Sequence, residues 1–208
     1  MFGDDPRGHA GSEGARSGTI ALTWRRSYDS GDMTDDEKWS MWCEGVLDHL
    51  HGYEHAGFAV LSYACTILER AVRIHIGMKP DETLGDAARS LAFFAEVENA
   101  VPELKSLDQA GIGAPVFWGV VRNGLAHDLA ASKPDYQGIR LVRLRIDPSA
   151  STVTYDGDCL AVGPRAFADA VVAYVKNTVT VRRFAQGDVA AKILPLPDVR
   201  PVHGGSPR

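Results

Sequence analysis

The sequence has no long apolar run, few cysteines and no dense basic stretch, and each absence removes a class of function. No window offers the ~20 consecutive apolar residues of a membrane-spanning helix. The N-terminus is polar and glycine-rich without an apolar signal core, which argues against secretion. Only three cysteines occur, Cys43, Cys65 and Cys159. Their odd number and wide spacing, with two of them in predicted helices, point to free thiols in a reducing compartment, hence to a cytoplasmic protein. The net charge of −5 is unevenly spread, with 9 Lys/Arg against 17 Asp/Glu in residues 1–100 and 13 against 10 in residues 101–208. Coating duplex nucleic acid needs a dense basic face. This chain lacks one, but its mildly basic second half is compatible with a local site for one or two phosphates. Internal repeats are absent, and no Ser/His/Asp or Cys/His arrangement is legible. Gly111-Ile112-Gly113 lacks the Gly-Lys-Ser/Thr that completes a phosphate loop, so it reads as a turn.

What is present is mostly helical pattern. The 208 residues suit one domain over 19–185 with tails. Residues 1–18 hold too few apolar side chains to offset the entropy of ordering and read as disordered. Residues 186–208 form a Pro/Gly-rich tail. Residues 19–25 place Ile20, Leu22 and Trp24 at period two, a short strand signal. Thr34-Asp35-Asp36-Glu37 is a capping box that opens a helix over roughly 34–50, with Trp39, Trp42, Val46 and Leu50 at core spacing. Gly52 breaks it. A longer helix over about 54–76 is apolar nearly all round, including Phe58, and so belongs at the centre of an all-α fold. Glu69 lies inside that apolar stretch and needs a cation or donors nearby.

Residues 81–99 read as a third helix with Leu84, Ala88, Leu91, Ala92 and Ala95 inward. Pro115 suits the first turn of a helix that ends before Lys133-Pro134. The period then changes. Ile139 to Ile146, Thr152 to Tyr155 and Leu160 to Val162 predict a small antiparallel hairpin or meander over about 139–162. Gly163-Pro164 opens a final helix over about 165–184.

The helix after Pro115 carries Arg122-Asn123-Gly124-Leu125-Ala126-His127. At 100° per residue, Trp118, Val121, Leu125 and Leu129 form the core stripe. Asn123 and His127 share nearly the opposite side, and Arg122 lies at the stripe's edge. Arg122 and His127 diverge by about 140°, so a second copy of the helix, packed face to face, is the simplest way to gather such groups around one cleft. The plainer alternative is a solvated helix face.

This run resembles the Arg-x4-6-His signature of HEPN domains, which often carry a polar residue directly after the arginine. The order of elements over roughly residues 34–132 is similar too: a long apolar helix with an internal glutamate, further helices, then the motif in a late helix. Arg70 to His75 also fits the bare spacing, but Ala71 follows that arginine and its helix is expected to be buried. The resemblance implies a mainly α, HEPN-like bundle, commonly dimeric, with the β hairpin before the C-terminal helix as an elaboration. It implies a metal-independent endoribonuclease without cofactor, of the kind found in toxin–antitoxin and other defence systems, where an antitoxin partner is common.

On this reading His127 takes the 2′-hydroxyl proton, Arg122 binds the phosphate and its transition-state charge, and Asn123 supports them. The products are a 2′,3′-cyclic phosphate and a 5′-hydroxyl. Glu69 is a candidate to orient Arg122; an ion pair with Arg73 or Arg70 is the alternative. Arg143 and Arg145 should share one strand face and are candidates to guide RNA, unless they simply solvate the sheet. Other family members are non-catalytic modules that bind a nucleotide or partner protein, which is the alternative function. His49, Glu54, His51 and His55 are dense in potential metal ligands, but Gly52 interrupts them and the spacing matches no metal signature, so a solvated helix junction is expected.

Overall fold

A computed structural model describes residues 33–79, 82–122, 132–134, 141–157 and 159–186. The predicted strand at 19–25, the N-terminal and most of the C-terminal tail, Ile139, Arg140, Asn123, Leu125, His127 and Leu129 lie outside the described residues.

The fold is mainly helical with a small mixed sheet. Its first helix opens on the capping box: the Thr34 hydroxyl accepts from Glu37 N, and the Glu37 carboxylate accepts from Thr34 N. Helix α1 (Asp35–Trp39) runs through a π turn (Ser40–Glu44) into α2 (Gly45–His51), and Gly52 ends it. Trp39 is buried, but Trp42 is 41 % exposed, against expectation. The π turn supplies the reason, because one extra residue per turn shifts the helical phase between the two indoles.

Helix α3 (Gly57–His75) is the central element and packs against helices from both ends of the chain. Val60, Leu61, Ala64, Leu68, Ala71 and Val72 are essentially inaccessible. Phe58, in its first turn, is half exposed, so the apolar circumference is not fully covered there.

Helix α4 (Ala87–Ala100) starts six residues later than expected, capped by the Asp86 side chain on Arg89 N. Its inner face is Phe93, Val97 and Ala100, whereas Leu91 is 52 % exposed. The run Leu-Ala-Phe-Phe-Ala is apolar on every side, so periodicity alone could not fix the phase. The larger rings decided it: Phe93 takes Trp118 edge-on at 5.1 Å.

Two short elements follow, α5 (Glu103–Leu107) with a 3-10 turn (Asp108–Ala110), and α6 (Ala114–Trp118), whose wide turn continues through 119–122.

The sheet corrects the expected antiparallel hairpin or meander. Strands β1 (Ser132–Pro134), β2 (Leu141–Ile146), β3 (Val153–Asp156) and β4 (Cys159–Val162) lie in the order β1-β2-β4-β3. β3 and β4 do form a hairpin, but β4 inserts between β2 and β3 and pairs with β2 in parallel. Burial explains the order. β4 is buried at Leu160, Ala161 and Val162 and takes an interior position, while β3 alternates buried and accessible residues and tolerates the edge.

The final helix is likewise two pieces: α7 (Pro164–Tyr174) with a π turn (Val175–Val179), then α8 (Val181–Gln186). They part at Thr180, a β-branched residue at φ 72°. Phe184 of α8 folds back onto Trp39, ring centroids 5.1 Å apart, and Gln186 donates to Asp35. The two ends of the described chain are thereby tied together. All three cysteines are free thiols. No helix among the described residues is long and apolar enough to cross a membrane.

Candidate functional site

Helix α6 and its continuation are anchored by the buried residues Val116, Phe117, Trp118, Val120 and Val121. Phe117 meets Phe167 of α7, and Trp118 meets Phe93 of α4. With the backbone so held, Arg122 emerges at the edge of the core as the sequence geometry predicts. Its side chain is 35 % exposed.

Glu69, mid-way along α3, receives it. Arg122 Nε and Nη2 lie 3.0 and 2.9 Å from Glu69 Oε2. The other carboxylate oxygen, Oε1, takes Arg73 Nε and Nη2, both at 3.2 Å. Arg73 is fixed in turn by its Nη1, which donates to the Glu82 carbonyl at 2.8 Å. Glu69 therefore contacts both Arg122 and Arg73, one on each oxygen. Arg70 is not its partner. That guanidinium donates to the Phe184 carbonyl and lies 5.1 Å from the Phe184 ring centroid.

Both guanidiniums thus meet the one carboxylate, with side chains only about a fifth to a third exposed, so their attraction to it is less screened than at an open surface. Cys65, one turn before Glu69, is fully buried. Burial pushes its thiol up to about 12; the Arg122 charge opposes this and the Glu69 charge adds to it. It is therefore protonated near neutral pH, and poorly suited as a nucleophile.

Asn123 and His127 lie outside the described residues, so the structure gives the arginine and acid half of the expected constellation. The second Arg-x4-His match is dispersed. Arg70 turns to α8, whereas His75 Nε2 lies 3.8 Å from Glu96 Oε2, which also accepts from the Tyr174 hydroxyl at 2.9 Å. Burial, then the Glu96 charge, hold that phenol far above its ordinary pKa. This internal polar cluster joins α3, α4 and α7. Sequence reasoning did not find it, because its members are far apart in the chain and no local spacing announces them.

Arg143 and Arg145 are exposed on one face of β2, with Val142 buried on the other. Arg145 lies 3.7 Å from Asp147. Hydrogen bonds from Ser149 are the main cause of the lowered Asp147 pKa. At the histidine-rich junction, His49 meets Tyr53 at 3.3 Å, and burial lowers the His51 pKa, assisted by Arg165. Among the described residues no group of three or more His, Cys, Asp or Glu side chains is placed to hold a metal ion. Comparison with protein-family models, with curated proteins and with solved structures gives no match to this chain.

Proposed function

We propose that this chain is a HEPN-type, metal-independent endoribonuclease, acting as a cytoplasmic toxin or defence effector held in check by an antitoxin. The observation that carries the reading is the pairing of Arg122 with Glu69 at the edge of the core. A guanidinium presents five N–H donors in a rigid fork, and a carboxylate on its Nε–Nη2 edge fixes the plane in which the others lie. The supporting context is a mainly helical fold in which a long apolar helix supplies that acid.

In the proposed reaction His127 accepts the proton of a ribose 2′-hydroxyl. The 2′-oxygen attacks the adjacent phosphorus, the bond to the 5′-oxygen breaks, and that oxygen takes a proton from a protonated imidazole or from water. Arg122 stabilises the negative charge gathered on the phosphorane, and Asn123 supports it. Because Arg122 and His127 diverge on an ideal helix, two copies of the motif helix would compose one cleft, and the active form would be a homodimer. Arg143 and Arg145 would guide the RNA backbone.

Incubation of the full chain with RNA in the presence of a chelator tests this. Cleavage leaving 2′,3′-cyclic phosphate and 5′-hydroxyl ends, lost in both Arg122→Ala and His127→Ala, is the expected result. Cleavage unchanged in those variants would refute the reading. A second reading is a non-catalytic HEPN-like module, for which the ion cluster of Glu69, Arg73 and Arg122 is structural. It is favoured if the folded wild type cuts no RNA.

A further inference from the structure

A cleft of about 220 Å³ opens between α1 with its π turn, the middle of α3 and α8. Four aromatic residues line it, Trp39, Trp42, Tyr63 and Phe184. Trp42 stands at the surface with 41 % of its area exposed, and the Tyr63 hydroxyl donates to the Trp42 carbonyl, which ties that residue's backbone to α3. Phe184 forms part of the opposite wall, with the Arg70 guanidinium beside it. Two cations, Lys38 and Arg70, line the cleft, and none of its described lining residues is acidic. The Lys38 ammonium makes no hydrogen bond or ion pair among the described residues. In a chain of net charge −5, an aromatic cleft with two cations and no acid is a selective feature. Cys43, also in the wall, is a protonated thiol near neutral pH, raised by burial to about 11, and serves as apolar lining.

We infer that this cleft binds a planar aromatic anion, with its ring against Trp42 and its anionic group toward Lys38 and Arg70. An exposed indole face gains by stacking on a flat π system, and that gain tolerates many ring types. An ammonium and a guanidinium together suit phosphate or carboxylate. The volume falls below the roughly 300–1,000 Å³ of drug-sized pockets, which favours a small ligand with one aromatic ring system and one charged group. A nucleoside monophosphate and an aromatic carboxylate share this chemistry. The site is separate from the Arg122–Glu69 pair, because Arg70 faces α8 whereas Glu69 faces the motif helix, so either assignment can fail alone.

The test is titration of the full chain with adenosine monophosphate and, in parallel, with 2-naphthoate, followed by calorimetry. At least one should bind saturably, and the one that does names the source of the anion. For the nucleotide, adenosine and ribose 5-phosphate should each bind at least about tenfold more weakly than the intact molecule, since each lacks one of the two features. Trp42→Ala and Lys38→Ala, both rim substitutions checked by thermal melting, should each weaken binding by about tenfold, and Arg122→Ala should leave it unchanged. Absence of binding by both probes would overturn the inference. So would binding that is indifferent to Trp42→Ala and Lys38→Ala, or that is lost in Arg122→Ala alone.

Discussion

Glu69 and Arg122 are 53 positions apart in sequence, yet two nitrogens of the guanidinium converge on one carboxylate oxygen, at 3.0 and 2.9 Å. Arg73 holds the other oxygen, so the carboxylate cannot turn away without breaking a second pair. The arrangement fixes the arginine from a helix it does not belong to.

A double-mutant cycle on Glu69→Gln and Arg122→Gln should therefore give a coupling energy of about 1 kcal/mol, the upper part of the range for partly exposed ion pairs. Urea unfolding measures it. Under the proposed activity, Glu69→Gln should also slow RNA cleavage by up to about 100-fold, because it releases the orientation of Arg122 while leaving the charge present. Coupling near zero would show that the pair contributes no mutual restraint.

The buried thiol of Cys65 predicts a loss of stability in alkali. Below the ordinary thiol pKa, both folded and unfolded chains are protonated at this position. Above it the unfolded chain releases the proton while the folded chain, with a pKa of about 12, retains it. The unfolded state then binds fewer protons and stability falls as pH rises. Between pH 8 and 10 this group contributes a loss of about 2 kcal/mol. Cys65→Ala should flatten the pH dependence of the urea midpoint over that window, leaving the contribution of Cys43. An unchanged slope would place the effect elsewhere.

Gly163 and Gly157 separate space from backbone strain. A Cβ on Gly163 would lie 2.2 Å from the Ala150 carbonyl oxygen, although its own φ is ordinary. That carbonyl belongs to a loop pinned by Asp147 N on Val162 O and Gly163 N on Thr152 O. Gly163→Ala should cost about 3 kcal/mol. Gly157 has φ 67° and open space around it, so Gly157→Ala should cost only the ~1 kcal/mol of a left-handed backbone. Thermal unfolding of the two variants orders them, and a reversed order would show that the loop yields.

The phase of α4 is testable in the same way. Phe93→Ala should destabilise by about 3–5 kcal/mol, since the ring is inaccessible and packed on Trp118. Leu91→Ala should stay within about 0.5 kcal/mol, as an exposed position. Equal effects would mean that Leu91 is covered in solution.

The sequence by itself determined where the first helix begins and which helix is central. The capping box at Thr34, the break at Gly52 and the apolar circumference around Leu61 and Leu68 are local properties, and local periodicity reports them directly. It also determined that Glu69 needs a cation and that Arg122 lies at the border of a core stripe. Only the tertiary structure decided which cation Glu69 takes, because Arg70, Arg73 and Arg122 are equivalent to a carboxylate until helices are packed. Packing likewise decided that Phe93 rather than Leu91 turns inward, that Trp42 stays at the surface beyond a π turn, and that β4 enters the sheet beside β2. In each case the local sequence admits two arrangements, and burial against distant residues selects one.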